Sequence, residues 1–154
     1  MTTTTTPRLT RSLPAEHRGT LMALAREVSI PQGSRLFDEG GRADRFWIVR
    51  TGTVALDVRV PGRRPAVIAT LGFGDLVGWS WLFSPRVWHM GAEAVTPVRA
   101  WEFDAGAVRE LFRADPRFAE AVARWVGLVL SHRLHAARVR LLELYAPHGS
   151  GIPG

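Results

Sequence analysis

Between residues 28 and 103 the chain leaves no room for a long helix. Short runs of β-branched and aromatic residues are cut apart there by glycine and proline. Residues 45–50 (Arg-Phe-Trp-Ile-Val-Arg) read as a strand and Thr51-Gly52 as a turn. Residues 53–60 alternate as the partner strand. Residues 61–65 form a loop, 66–71 a further strand, and 72–78 a glycine-rich segment. Residues 92–95 and 98–103 form a last hairpin around Thr96-Pro97. Many short strands at regular spacing predict an antiparallel β-roll of the jelly-roll (double-stranded β-helix) kind rather than a βαβ sheet.

The flanks follow a helical period, so the fold class is α+β, mainly β. Ser12-Leu13-Pro14 has the chemistry of a helix start, and Leu13, Leu21, Leu24 and Ala25 supply one apolar face. Asp104 caps a short helix over residues 105–113. Asp115-Pro116 is a cap followed by a first-turn proline. Phe118, Val122, Trp125, Val126 and Val129, then Leu141 and Leu144, mark an apolar stripe that predicts a helix to about Tyr145. Such a helix is roughly 45 Å long, more than a small roll can cover. A second copy is therefore expected to pack along Phe118, Val122, Trp125, Val126 and Val129, giving a homodimer. The alternative is a break near His132 with the remainder folded back. Residues 12–145 form the expected domain, residues 1–11 a disordered Thr- and Arg-rich tail, and residues 146–154 a flexible one.

Composition excludes several function classes. The 154 residues suit one domain. The absence of cysteine excludes disulfides, thiolate metal sites and a cysteine nucleophile. The first residues lack an apolar h-region, and the longest apolar stretch, residues 125–130, is far below the ~20 residues of a membrane helix. A soluble, cytoplasmic protein without membrane contact is expected. All 20 basic residues are arginine, the net charge is +6 and the sequence pI is about 11.4. Residues 28–104 are nearly neutral, with nine arginines against eight acids, so the surplus lies in the flanks. A solvated arginine-rich surface accounts for this charge, and a phosphate-binding stripe is the alternative. No serine nucleophile elbow, P-loop or dinucleotide fingerprint is present, and no enzymatic activity is expected.

Three segments, in order, resemble one family. They are Gly33-Ser34-Arg35-Leu36-Phe37-Asp38-Glu39-Gly40, then Ala43-Asp44-Arg45-Phe46-Trp47-Ile48-Val49-Arg50-Thr51-Gly52-Thr53-Val54, then Leu71-Gly72-Phe73-Gly74-Asp75-Leu76-Val77-Gly78. With their helical ends they resemble the cyclic-nucleotide-binding domain of the bacterial catabolite-activator superfamily, over about residues 14–145. The resemblance implies a non-enzymatic sensor or regulatory module. It implies a short helix after Gly78 whose N-terminal amides hold a cyclic phosphate. It also implies a glutamate on the ribose hydroxyl and an arginine on the phosphate.

The chain departs from that pattern at both charged anchors. Gly78 is followed by Trp79, then Ser80-Trp81-Leu82-Phe83, and the arginine position falls at or near Trp88, with Arg86 two residues away. Indole accepts no hydroxyl proton and neutralises no phosphate. Losing one charge-assisted anchor costs about 1.5–3 kcal/mol. Losing two weakens cyclic AMP by roughly two to four decades, so tight binding is not expected. Two readings follow for Trp79, Trp81 and Trp88. Either they fill the pocket and leave a structural or partner-binding subunit, or they line a re-keyed pocket for a planar ligand. In the second case Gly74, Gly78, Ser80, Leu82, Arg86 and His89 complete the wall. A surface platform for a partner protein is a further possibility. The ligand and any cofactor are unknown.

Weaker patterns remain. His132 and His135 share a helix face, which allows a metal or an axial haem contact, although no third ligand accompanies them in sequence. Arg124, Arg133, Arg138 and Arg140 lie in an acid-free stretch over residues 121–142 and could touch phosphate non-specifically. Family regulators carry a helix-turn-helix module after the long helix. The sequence stops about nine residues past Tyr145, so a stand-alone domain without sequence-specific DNA recognition is expected.

Overall fold

The computed structural model describes residues 12–149. A short helix, α1 (Ala15–Met22), leads into eight strands. These are β1 (Arg26–Ile30), β2 (Arg35–Phe37), β3 (Arg45–Thr51), β4 (Val54–Val58), β5 (Ala66–Leu71), β6 (Leu76–Val77), β7 (Gly91–Ala94) and β8 (Val98–Asp104). Helices α2 (Ala105–Ala114) and α3 (Pro116–Gly149) close the chain. The strands form two antiparallel sheets, ordered β1-β8-β3-β6 and β2-β7-β4-β5. This is the jelly roll that the turn pattern predicts. Strands β1, β2 and β6 are additions to that reading. Each is short or polar enough that sheet partners, not local pattern, fix it.

The turn between β3 and β4 depends on Gly52. Its φ is +92°, and a Cβ there would lie 2.2 Å from the Pro97 carbonyl oxygen. The two hairpin ends therefore meet backbone to backbone. Between the sheets an aromatic run builds the core. Phe46 stacks on Phe103 at 4.7 Å and on Trp81 at 4.2 Å. Trp81 reaches Phe112 of α2 at 6.2 Å, and Phe112 reaches Phe118 of α3 at 5.7 Å. Sheet, turn and both C-terminal helices thus share one apolar interior.

Both caps predicted from sequence are made. The Asp104 carboxylate accepts from the Ala107 amide, and the Asp115 carboxylate accepts from the Phe118 amide. Helix α3, 34 residues in all, runs unbroken through His132, which removes the fold-back alternative. It continues through residues 146–149, where a flexible tail was expected; residues 1–11 and 150–154 lie outside the described residues.

One expectation about α3 is corrected. Phe118, Val122, Trp125, Val126 and Val129 are all fully buried within the single chain. They dock α3 on its own roll and α2, each contributing on the order of 1.5–3 kcal/mol of apolar burial. They are not available to a second copy. The apolar residues that α3 leaves exposed lie mostly further along: Leu134, Leu141, Leu142, Leu144 and Tyr145.

Candidate functional site

The segment after Gly78 forms a single turn of 3-10 helix, Ser80–Leu82, with no side-chain cap. Three residues supply too few amides to make the anion-holding helix start that the resemblance implies. Behind this turn a cavity of only about 10 Å³ remains. Its walls include Phe37, Gly78, Trp79, Trp88 and His89 from the roll, and Arg133 from α3. One water needs roughly 10–15 Å³, and small-ligand sites run to about 300–1,000 Å³. The space is filled by the protein itself.

Trp88 does most of the filling. Its indole is 5% exposed and stacks on Phe37 at 3.8 Å with the planes 12° apart. Phe37 stacks in turn on Trp47 at 5.8 Å. Trp47 is anchored by its Nε1, which donates to Glu102 at 3.0 Å. The backbone around Trp88 is pinned as well: its amide donates to the Gly41 carbonyl, and its carbonyl accepts from the Gly40 amide, both at 2.8 Å. Gly78 makes the arrangement possible. Its φ is +96°, and a Cβ on it would sit 2.6 Å from the Trp88 ring. A bare backbone and a large ring therefore occupy one volume.

The expected wall residues separate into groups. Gly78, Trp79, Ser80, Trp88 and His89 come together. The Trp79 ring stacks on His89 at 5.4 Å, and Ser80 Oγ lies 3.2 Å from His89 Nδ1. Trp81 is fully buried in the core, where its Nε1 donates to the Gly78 carbonyl at 3.0 Å. Leu82 packs against the core from outside the residual cavity. Gly74 lies elsewhere, on an apolar groove with Met22, Ile48 and Trp101. Arg86 is exposed, takes a left-handed backbone, φ 57°, and does not line the residual cavity. Among the described residues no group of three or more histidine or acidic side chains is placed to hold a metal, and His135 is exposed.

Arg133 was grouped in sequence with three surface arginines, yet it is the one charge that enters the residual cavity. It donates through Nη2 to the Leu76 carbonyl, while its Nε and Asp75 Oδ1 are buried without hydrogen bonds. Burial pushes the guanidinium down to about 10, and the nearby Asp75 charge opposes that shift. Guanidinium stays charged at neutral pH, so the cost of burying it is carried across the whole physiological range. Asp75 and the Leu76 carbonyl offset that cost and tie α3 to β6. No sequence signal marks this role, because the register of α3 on the roll decides which arginine turns inward.

The Gly78–Trp88 contact gives a direct stability test. Gly78→Ala should cost about 2–4 kcal/mol, from the positive φ and the ring clash together. In a Trp88→Val background the clash part disappears, so a double-mutant cycle in urea should give a coupling of ~1 kcal/mol or more. Strict additivity would mean that the ring does not lie over Gly78.

The comparisons with known proteins agree with the geometry. Residues 27–115 match the family model of the cyclic nucleotide-binding domain. A CRP-like cAMP-activated global transcriptional regulator of Mycobacterium tuberculosis is 31% identical over 117 residues, 76% of this chain and 50% of that protein. The chain thus spans about half the length of the curated relatives it resembles at this level. The N-terminal domain of a transcriptional regulator from Streptomyces coelicolor is 30% identical, with a TM-score of 0.67, covering 81% of this chain and 89% of that one. The catabolite activator protein of Thermus thermophilus is 26% identical, with a TM-score of 0.69, covering 90% of this chain and 63% of that one. With its two antiparallel sheets, its glycine-rich turn and its long closing helix, the chain belongs to the cyclic nucleotide-binding domain family.

Proposed function

We propose that this domain is a non-enzymatic regulatory module whose nucleotide pocket is filled from within, and that it acts by association rather than by cyclic-nucleotide binding. Of the two readings of the tryptophans, the filled pocket is favoured by one observation. The Trp88–Phe37 stack leaves about 10 Å³ where a nucleotide needs several hundred. The composition of the wall supports the same reading: Trp79 and Trp88 line it, no carboxylate does, and exposed Arg86 is not among its residues. Cyclic AMP would have to displace a buried ring and then find no carboxylate for its ribose. Calorimetry with cyclic AMP and cyclic GMP should therefore give no saturable heat up to ~1 mM, equivalent to less than about 4 kcal/mol of binding. A micromolar dissociation constant for either would overturn the reading.

The partner of first choice is a second copy along α3. Leu134, Ala137, Leu141 and Leu144 alternate at three and four residues, the spacing of a two-stranded helical seam. All four are exposed in the single chain. They lie beyond the five buried residues that fix α3 to the roll, so the seam and the core use different parts of the helix. Leu134→Glu with Leu141→Glu should convert a dimer to a folded monomer in sedimentation, with the melting transition of the roll retained. A wild-type monomer at high micromolar concentration would contradict the seam.

A further inference from the structure

The arginines of this chain are neutralised unevenly. Arg35 is saturated: it bonds Asp57 through both terminal nitrogens, at 2.6 and 3.0 Å, and also reaches Asp38 and Glu93. These contacts, Asp57 first, hold its guanidinium above its ordinary value. Arg109, on α2, shows the opposite pattern. Burial lowers it first, and the charges of Arg86, Arg113 and Arg42 lower it further, with Asp104 opposing. Among the described residues, the side chains of Arg42, Arg86 and Arg113 form no hydrogen bond and no ion pair. Arg109 spends one of its five N–H donors on the Trp81 carbonyl, at 3.0 Å. Arg109 therefore lies in the field of three like charges, opposed by Asp104.

Two of these arginines, Arg42 and Arg109, line a cavity. A cleft of about 600 Å³, within the range of small-molecule sites, is lined by Arg26, Arg42, Arg45 and Arg109. Its acids are largely committed. Glu102 accepts from Arg26 at 2.7 Å and from Trp47, and lies 3.7 Å from Arg45. Asp104 caps α2. Asp44 lies 3.9 Å from Arg45. The helix start at the cleft is already capped, so the guanidinium groups and not the helix dipole define its chemistry. Two planar forks with free donors match the oxygens of a phosphoryl group, which accept in pairs. This cleft is separate from the filled pocket, and shares none of its wall residues.

We propose that this cleft is a binding site for a phosphorylated small molecule, held by Arg42 and Arg109 with Arg86 and Arg113 supplying a positive surround. The site is independent of the pocket behind Trp88, and its occupancy does not depend on whether that pocket is filled. The probe is inorganic pyrophosphate, titrated calorimetrically into the full chain at fixed ionic strength. Three variants accompany it. Arg42→Gln removes an exposed fork with no internal bond. Arg109→Gln removes the inner one. Arg124→Gln removes an exposed arginine on α3 whose partner is Glu120, as a control for general charge. Expected is saturable one-to-one binding that weakens at least about tenfold in Arg42→Gln, the loss of one charge-assisted contact, and stays unchanged in Arg124→Gln. Because Arg109 also holds the Trp81 carbonyl, Arg109→Gln is read only if its melting transition matches wild type. Absence of saturable binding would overturn the proposal. So would an equal loss in Arg42→Gln and Arg124→Gln, which would indicate diffuse attraction to net charge.

Discussion

The packing behind the glycine-rich turn depends on the Trp88 ring lying over the bare backbone of Gly78. The family fold builds its ligand space between the glycine-rich turn and the facing sheet. In the proposed reading a side chain of the protein occupies that space, and about 10 Å³ remains behind the turn. Once Trp88 stacks on Phe37, the neighbouring features fall into place: Phe37 is held by Trp47, Trp47 by Glu102, and Trp79 lies flat on His89. Close-packed interiors tolerate little change in volume, so an incoming ligand must compete with packing as well as with water.

Helix α3 carries the consequence outward. Its first half is fixed by five fully buried residues and by the aromatic run from Phe103 to Phe118. Arg133 then reaches back to the Leu76 carbonyl on β6, one residue from Asp75. A helix held at this many points has its position set by the protein alone. In a ligand-gated module, coupling would require the ligand to prefer one placement of the helix over another. In the proposed reading a built-in plug replaces that preference with a single placement, and association would use the exposed Leu134, Leu141 and Leu144.

Much of the fold was legible because its signals are local. Gly52 marks the β3–β4 turn, Asp104 and Asp115 mark helix starts, and the spacing of short β runs marks a roll. The site was legible only in part. The order of motifs put Trp79 and Trp88 beside the glycine-rich turn, and both line the residual cavity there. Phe37, the ring that Trp88 stacks on, lies 51 residues earlier, and the pairing of β2 with β7 together with the Gly40 and Gly41 backbone bonds to Trp88 brings it near. The stripe on α3 announced burial without saying against what, since a helix face reads the same whether it meets a roll or a second helix. Arg133 looked like one more surface arginine, because its inward turn depends on tertiary register. The arginine surplus has the same character: composition reports the total, and only the structure separates the saturated Arg35 from Arg109, which has like charges around it and Asp104 opposing.

The central claim is that Trp88 fills the pocket in solution, and the most direct measurement is proton–proton cross-relaxation between the Trp88 ring and the Gly78 α-protons. A ring that would sit 2.6 Å from a Gly78 Cβ must give strong cross-peaks to those protons. The account predicts such cross-peaks, together with contacts from the Trp88 ring to Phe37, unchanged in intensity when cyclic AMP is added in excess. Missing Trp88–Gly78 cross-peaks, or their loss on adding cyclic AMP, would mean that the ring is a gate rather than a plug and would contradict the account.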